Sequence, residues 1–263
     1  MNTISVLPLS LMVLTKNEAQ IIASTLEKHR FLDDVFVIDS LSTDGTPEIA
    51  AAAGAKVIDL EWRGSFAEQR NRADSHANHD WIMHLDADET ISPELAREME
   101  QFFSSGDTGR YVACRFPRRE LFFGKWINHG GWYPQYKIRL YKKGAGSWSS
   151  TVHEQYVTDG PVHTFTNPIL HDSYRDIATF VDKFNRYSTL DAQADFRDGK
   201  RFSFFKLMSQ PLERFVGRYL KHSGWRDGFH GFAIASLIAF NYFIRLLKLW
   251  ELQYRSRQNH PGK

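Results

Sequence analysis

The chain has a single cysteine, Cys114, among 263 residues. One thiol excludes an internal disulfide and a cysteine-clustered zinc site, and it suits a reducing cytosol. An excess of one charge is missing as well: 33 Lys and Arg stand against 31 Asp and Glu, so no uniformly basic nucleic-acid binder is indicated and no nucleic-acid partner is expected. The opening Met-Asn-Thr-Ile-Ser-Val-Leu-Pro has no basic segment followed by a long apolar one, which argues against a signal peptide and for a protein that stays on the side where it was made. No Gly-x-Gly-x-x-Gly follows an apolar run and no Gly-x-x-x-x-Gly-Lys occurs, so dinucleotide and P-loop readings lose their main support. The apolar run Phe232 to Ile244 has thirteen residues, Asn241 among them, short of the roughly 20 that span a bilayer.

What is present points to an α/β fold. At 42% hydrophobic residues the chain can bury one large core, or one core and an appendage. Over the first hundred residues, β-rich apolar runs at Leu9–Leu14, Val35–Asp39, Lys56–Leu60 and Trp81–Asp86 alternate with segments of helical period. That rhythm predicts a mostly parallel sheet with helices on its faces. Helix punctuation agrees: Thr46-Pro47 reads as N-cap and first turn, Gly54 as the residue past a helix end, Ser65 with Glu68 as a capping box, and Ser92-Pro93 as another start. The strands then end on one common edge, where open sheets of this kind bind ligands.

That edge is acidic. The first run is followed by Thr15-Lys16-Asn17-Glu18, the second by Asp39 to Thr46 with Asp44, and the fourth by Asp86-Ala87-Asp88-Glu89. Carboxylates two positions apart in an extended turn can each present an oxygen to Mg²⁺ or Mn²⁺, hard ions that keep waters and share substrate phosphates. Such an ion would neutralise charge on a departing diphosphate.

These residues resemble glycosyltransferase family 2, of GT-A fold. The resemblance covers Leu14-Thr15-Lys16-Asn17-Glu18, the stretch Val37-Ile38-Asp39-Ser40 through Asp44-Gly45-Thr46, Glu68-Gln69-Arg70-Asn71, and Asp86-Ala87-Asp88-Glu89. Further on, Gly130-Gly131-Trp132-Tyr133-Pro134, Arg139-Leu140-Tyr141, Val152-His153-Glu154 and His171-x-Ser173-Tyr174 look like the bacterial β-1,4-glucosyltransferases of the lipopolysaccharide core. The resemblance implies a mostly parallel GT-A sheet with helices on both faces over residues 1–175, with nucleotide-sugar binding over about 9–90 and the acceptor region over about 110–175. It implies that Thr15, Asn17 and Glu18 lie along the nucleoside and that Asp39 hydrogen-bonds the uracil. Asp86 contacts the ribose or the metal shell, Asp88 coordinates the metal, Arg70 lies near the nucleotide, and His171 is a candidate third metal ligand. Inversion by single displacement requires a base for the acceptor hydroxyl, and Glu154 is assigned that role, with His153 orienting it or touching a phosphate. Trp126, Trp132 and Trp148 offer faces on which sugar rings can stack. The expected partners are a UDP-sugar, UDP-glucose first, and a lipid-linked saccharide, with an inner-core heptose leading and polyprenyl-phosphate, capsule or peptide acceptors as alternatives.

Each assignment has a plainer counterpart. The Asp86-Asp88-Glu89 cluster can be a solvated turn, Asp39 and Asp44 can be turn formers, and Glu18 can favour a helix start. Arg70 can belong to a surface ion-pair network with Glu68, Arg72 and Asp74, His171 can be a core histidine, and the tryptophans can be packing. A sugar nucleotidyltransferase is the rival enzyme, although Thr15 to Glu18 lacks the glycines its phosphate loop wants. From Arg197 to Lys263 the chain carries 13 Lys and Arg against four acids, interleaved with aromatic residues. Residues 176–263 are therefore expected to form a basic amphipathic helical region on an anionic membrane surface. With the lipid-linked acceptor, the resemblance then implies location at the cytoplasmic face of the inner membrane, or in the cytoplasm. Without the acidic edge, a non-enzymatic peripheral membrane module would explain that end equally well.

Overall fold

A computed structural model describes residues 6–149, 154–174 and 176–259. The chain divides into two compact units, one made of residues up to Arg119 with Gln135–His171, the other of Glu120–Pro134 with the chain from Asp172 onward.

In chain order the elements up to residue 174 are β1 (Leu9–Thr15), α1 (Ile22–Lys28), β2 (Asp34–Asp39), α2 (Thr46–Ala52), β3 (Lys56–Asp59), α3 (Phe66–Ala73), β4 (Trp81–Asp86), β5 (Glu89–Ile91), α4 (Pro93–Ser104), β6 (Ala113–Phe122), β7 (Lys125–Trp126), β8 (Gln135–Lys142), β9 (Ser147–Ser149), β10 (Gln155–Val157), β11 (Val162–Thr164) and β12 (Ile169–Tyr174). The main sheet runs in the order β3-β2-β1-β4-β8-β6-β12-β5. Its first four strands are parallel, and β8 lies antiparallel to both β4 and β6. The sheet is mixed but parallel over β3-β2-β1-β4, as the alternation predicts. All four expected strands form, within a residue of their expected ends.

Because strand side chains alternate sides, each strand feeds two cores. Leu9, Leu11, Val13, Met83 and Leu85 pack with Ile22, Leu26, Leu95 and Met99 of the helices on one face. Met12, Leu14, Phe36, Ile38 and Ile82 pack with Ala67 and Ala73 of α3 on the other. Each fully buried side chain of this kind stabilises the unit by about 1.5–3 kcal/mol. Parity also sends His84 and Asp86 to the α3 side, and so brings the end of β4 to Arg70.

The helix starts behave as expected at Ser65, which accepts from the Glu68 amide at 3.3 Å, and at Ser92, which accepts from Leu95 at 3.1 Å. The start of α2 differs. Its N-cap is Gly45 at φ 87°, and Thr46 is already helical. Thr46 Oγ1 instead accepts from the Glu18 amide at 2.8 Å and donates to Asp44 Oδ1 at 2.5 Å, so the hydroxyl ties two loops together.

In the second unit, α5 (Ile177–Arg197), α6 (Phe204–Val216) and α7 (Phe229–Asn259) pack together. Phe122, Ile127, Trp132, Phe180, Ile234 and Ile238 form their core. The apolar run from Phe232 is only part of α7, a 31-residue helix. By length and composition α7 is apolar enough to cross a membrane, which the thirteen-residue run did not suggest. Charged residues beyond Ile244 continue the helix because Arg245 and Lys248 find partners on α5: Arg245 pairs with Asp195 at 2.6 Å, and Lys248 donates to the Asn185 carbonyl at 2.8 Å.

Candidate functional site

The ends of β1 and β2 are cross-linked by their own side chains. Asp39 is buried, and its carboxylate accepts from Thr15 Oγ1 at 2.9 Å and from the Ser42 amide and hydroxyl, both at 2.6 Å. Asn17 occupies the left-handed region at φ 57°, which asparagine tolerates; its amide donates to Ser42 Oγ and its Oδ1 accepts from Thr43. Asp44 accepts from Ala19 and Thr46, and the Thr46 hydroxyl bond holds its carboxyl below the usual range. The turn-forming reading of Asp39 and Asp44 therefore describes their contacts, and the result is a rigid ledge carrying Thr15, Asn17, Glu18 and Asp39 on one strand edge. Leu41 on this ledge is exposed at φ 60°, a strained position for a branched apolar residue that sequence reasoning did not single out.

At the end of β4, Asp86 sits between two arginines. Arg70 Nη2 lies 2.6 Å from Asp86 Oδ1, and Arg139 Nη2 lies 3.1 Å from Asp86 Oδ2. Arg70 is fully buried, which overturns the surface-network reading. Its turn of α3 faces the sheet, and Asp74, assigned to that network, binds His84 Nε2 and the Tyr141 hydroxyl instead. Burial opposes ionisation of Asp86, but the charges of Arg70 and Arg139 outweigh it and hold the carboxyl well below the carboxylate range. Glu89, wholly buried, pairs with Arg139 at 2.9 Å and Arg118 at 3.2 Å, and accepts from the Asp86 amide.

Glu154 joins the same cluster, with Oε1 3.7 Å from Arg70 Nη2. Burial, helped by the charges of Asp86 and Glu89, pushes its carboxyl up despite the arginines. Lys137, half-buried, is pushed down by desolvation and by Arg118 and Arg139. His153 lies outside the described residues. On the other side of the loop, Asp88 Oδ2 is 3.2 Å from His171 Nε2. These two residues, 83 apart in sequence, are brought together because β12 pairs with β5, placing His171 opposite Glu89.

The expected sugar platforms are mostly absent. Trp148 and Trp132 are buried in the cores of the first and second units, where a large ring contributes most, and Trp126 is half-buried in β7. Trp148 has another use: Arg70 lies over its ring at 4.8 Å, its indole N–H donates to Tyr141, and its backbone is held at both N–H and C=O by Asn71. Arg118, Lys137, Arg139 and Glu89 were not assigned roles from sequence. The available signal was the strand-like alternation Lys137, Arg139, Tyr141 on β8, which puts charged groups on one face.

Among the described residues, no group of three or more His, Cys, Asp or Glu side chains is arranged to hold a metal. The donors that fit are Asp88 and His171. Their 3.2 Å spacing is close to the roughly 3 Å between neighbouring ligands of an ion coordinated at about 2.1 Å. The carboxylate suits Mg²⁺ or Mn²⁺, and either ion could complete its shell with water. Both oxygens of Asp86, expected in the metal shell, are engaged by guanidinium groups. Four cations (Arg70, Arg118, Lys137, Arg139) thus stand with four carboxylates (Asp86, Asp88, Glu89, Glu154) at this strand edge.

The model of the family described as Glycosyl transferase family 2 matches residues 10–155. The chain is 33% identical to an uncharacterized glycosyltransferase of Rickettsia typhi, over 95% of this chain and 89% of that one. It is 29% identical to the lipopolysaccharide core biosynthesis glycosyltransferase LpsC of Rhizobium meliloti, over 93% of each. Among solved structures, the mannosyltransferase PcManGT from Pyrobaculum calidifontis, in complex with GDP-Man and Mn²⁺, aligns over 97% of this chain and 88% of that chain at 14% identity and a TM-score of 0.49.

Proposed function

Because the chain belongs to glycosyltransferase family 2, we propose that it transfers a hexose, glucose from UDP-glucose first, with inversion onto a lipid-linked saccharide. The relative LpsC, named for lipopolysaccharide core biosynthesis, supports a core acceptor, and an inner-core heptose is the leading candidate. The observation that carries the reading is the placement of Glu154. It is a half-buried carboxylate with a raised pKa, beside the arginine that clamps Asp86 and in the same strand-end cluster as Asp88 and His171.

In this reading the ledge of Thr15, Asn17, Glu18 and Asp39 receives the nucleoside, with Asp39 on the uracil and Asp86 on the ribose. Asp88 and His171 would hold Mg²⁺ or Mn²⁺. When bound there, the ion supplies positive charge to the leaving diphosphate. Arg70 keeps Asp86 ionised and fixes its direction. Glu154 takes the proton of the acceptor hydroxyl as that oxygen attacks the anomeric carbon, and the bond to UDP breaks on the opposite face. A pKa raised toward the working pH suits a general base. The basic helical unit keeps the enzyme at an anionic surface on the cytoplasmic side, where a lipid-linked acceptor is met.

Calorimetric titration with UDP tests the donor half: binding should require Mg²⁺ or Mn²⁺ and weaken at least tenfold in Asp88→Ala with the fold intact by circular dichroism. Metal-independent UDP binding of equal strength in the variant would remove Asp88 from the metal site. Radiolabelled nucleotide sugars incubated with truncated lipid A–core acceptors test the acceptor half; label from UDP-glucose should move, and a panel in which none moves rejects the core assignment.

A further inference from the structure

A second candidate site lies within the helical unit, among residues to which the functional reading assigns no catalytic or donor-binding role. The end of α5, residues 199–201 and the last turns of α7 line an open, shallow cavity of about 230 Å³. Three of its lining residues, Lys200, Arg201 and Arg257, are cations and none is an acid. Lys200 is committed to Asp195 at 2.6 Å, and the only other acid near it, Asp198, stands 3.7 Å from its ammonium. Arg201 and Arg257 make no ion pair among the described residues, so their charge is available. The wall is held in place by Gln253, which accepts from the Phe202 amide at 3.1 Å and donates to the Lys200 carbonyl at 2.7 Å.

Immediately after this wall, α6 begins with its apolar face turned outward. Phe204, Met208 and Leu212 follow one ridge at spacing four, with Phe205 beside them. They are 69%, 50%, 62% and 78% exposed, whereas Leu207 alone in this helix is buried. Exposing four large apolar side chains together on one helix is unfavourable in water, and a contiguous exposed apolar patch is a feature of interaction sites. A cationic cavity three residues from an apolar ridge complements a ligand with a phosphate head and a hydrocarbon body. We propose that this end of the helical unit is a docking site for an anionic phospholipid: Arg201 and Arg257 take the headgroup phosphate, and Phe204, Phe205, Met208 and Leu212 enter the acyl boundary. Guanidinium forks suit phosphate oxygens, and the ridge supplies the apolar contact that holds an in-plane helix at a bilayer surface. The proposal deepens the membrane partner of the functional reading by naming the contact surface, and it does not depend on which sugar is moved.

The test is sedimentation of the full chain with vesicles of phosphatidylcholine alone or mixed with phosphatidylglycerol. The wild type should bind the mixed vesicles and leave the neutral ones largely unbound. Arg201→Gln with Arg257→Gln should lower partitioning about 30-fold, equivalent to about 1 kcal/mol per arginine. Phe204→Ser with Phe205→Ser should lower it at least as much at unchanged charge. A control that removes two exposed arginines of the first unit, Arg30→Gln with Arg97→Gln, should bind nearly as the wild type does. Equal loss in that control assigns the effect to overall charge and overturns the site, as does unchanged binding in the cavity variant. Excess inorganic phosphate at constant ionic strength should not displace the protein; displacement assigns the cavity to free phosphate instead. UDP titration of the same preparations reads the donor site separately, so failure of one proposal is distinguishable from failure of the other.

Discussion

Glu154 shows how one side chain can carry opposing demands. Its raised pKa means that the folded chain disfavours the carboxylate relative to the unfolded chain. Above its folded pKa it therefore subtracts stability, and this cost disappears as pH falls through that pKa toward the ordinary value of a glutamate. Glu154→Gln should raise the denaturation midpoint at neutral pH, lose the gain in acid, bind UDP normally and transfer sugar at least a hundredfold more slowly. Retained turnover in that variant would remove Glu154 as the base. Wild-type transfer should fall with acidification at a pH above the ordinary glutamate range. Cys114 makes a simpler case. It is fully buried, and desolvation pushes its thiol far up, so thiol reagents should modify it only after denaturant is added. Labelling of the native protein at the rate of a free thiol would contradict that burial.

Among elements, α3 does more than cover the sheet. Arg70 reaches the end of β4 while Asn71, the next residue, grips both backbone groups of Trp148 at 2.8 and 2.9 Å. The ring of Trp148 backs the Arg70 guanidinium, so one helix turn positions an arginine and also the surface against which it packs. Asn71→Ala removes both bonds and should cost about 2 kcal/mol of stability. Its UDP affinity should drop while the variant remains folded, because the arginine beside Asp86 loses its backing. Thermal melting and calorimetry check the two effects independently, and undiminished affinity would limit Asn71 to a structural role. Helix starts at Ser65 and Ser92 were readable because capping is a local exchange of hydrogen bonds. The start at Thr46 was misplaced because its hydroxyl serves a partner 28 residues away, the amide of Glu18.

For the whole molecule, acid stability follows from buried histidines. Burial lowers His29 and His84 from 6.5 to about 4, against a raising interaction with the Thr25 backbone carbonyl in one case and with the Asp74 carboxylate, which accepts from the ring, in the other. Both are neutral when folded and protonate in the unfolded chain below 6.5. Stability is complete above 6.5 and is lost between 6.5 and about 4, by up to about 3 kcal/mol per histidine. Asp34 acts in the same sense but at lower pH: burial opposes its charge, yet bonds from Lys56, Ser10 and Asn78 prevail and lower its pKa, so its contribution is lost only in stronger acid. Denaturant midpoints should therefore fall across pH 6.5 to 4, and a flat profile there would contradict neutral burial of the two imidazoles.

The alternation of strands and helices over the first hundred residues, the acidic strand ends and the basic final third were legible in the sequence because each is written in neighbouring residues, as period, cap or charge. Period two also determined that Asp86 faces the same side as His84. Only the folded chain decided which groups meet Asp86. Arg70, Arg139 and Glu154 come from three separate elements or loops, and Asp88 meets His171 only because β12 pairs with β5. Such contacts depend on strand pairing and core packing, in which a residue's partner is selected by the burial of many others, and local sequence carries no record of that selection.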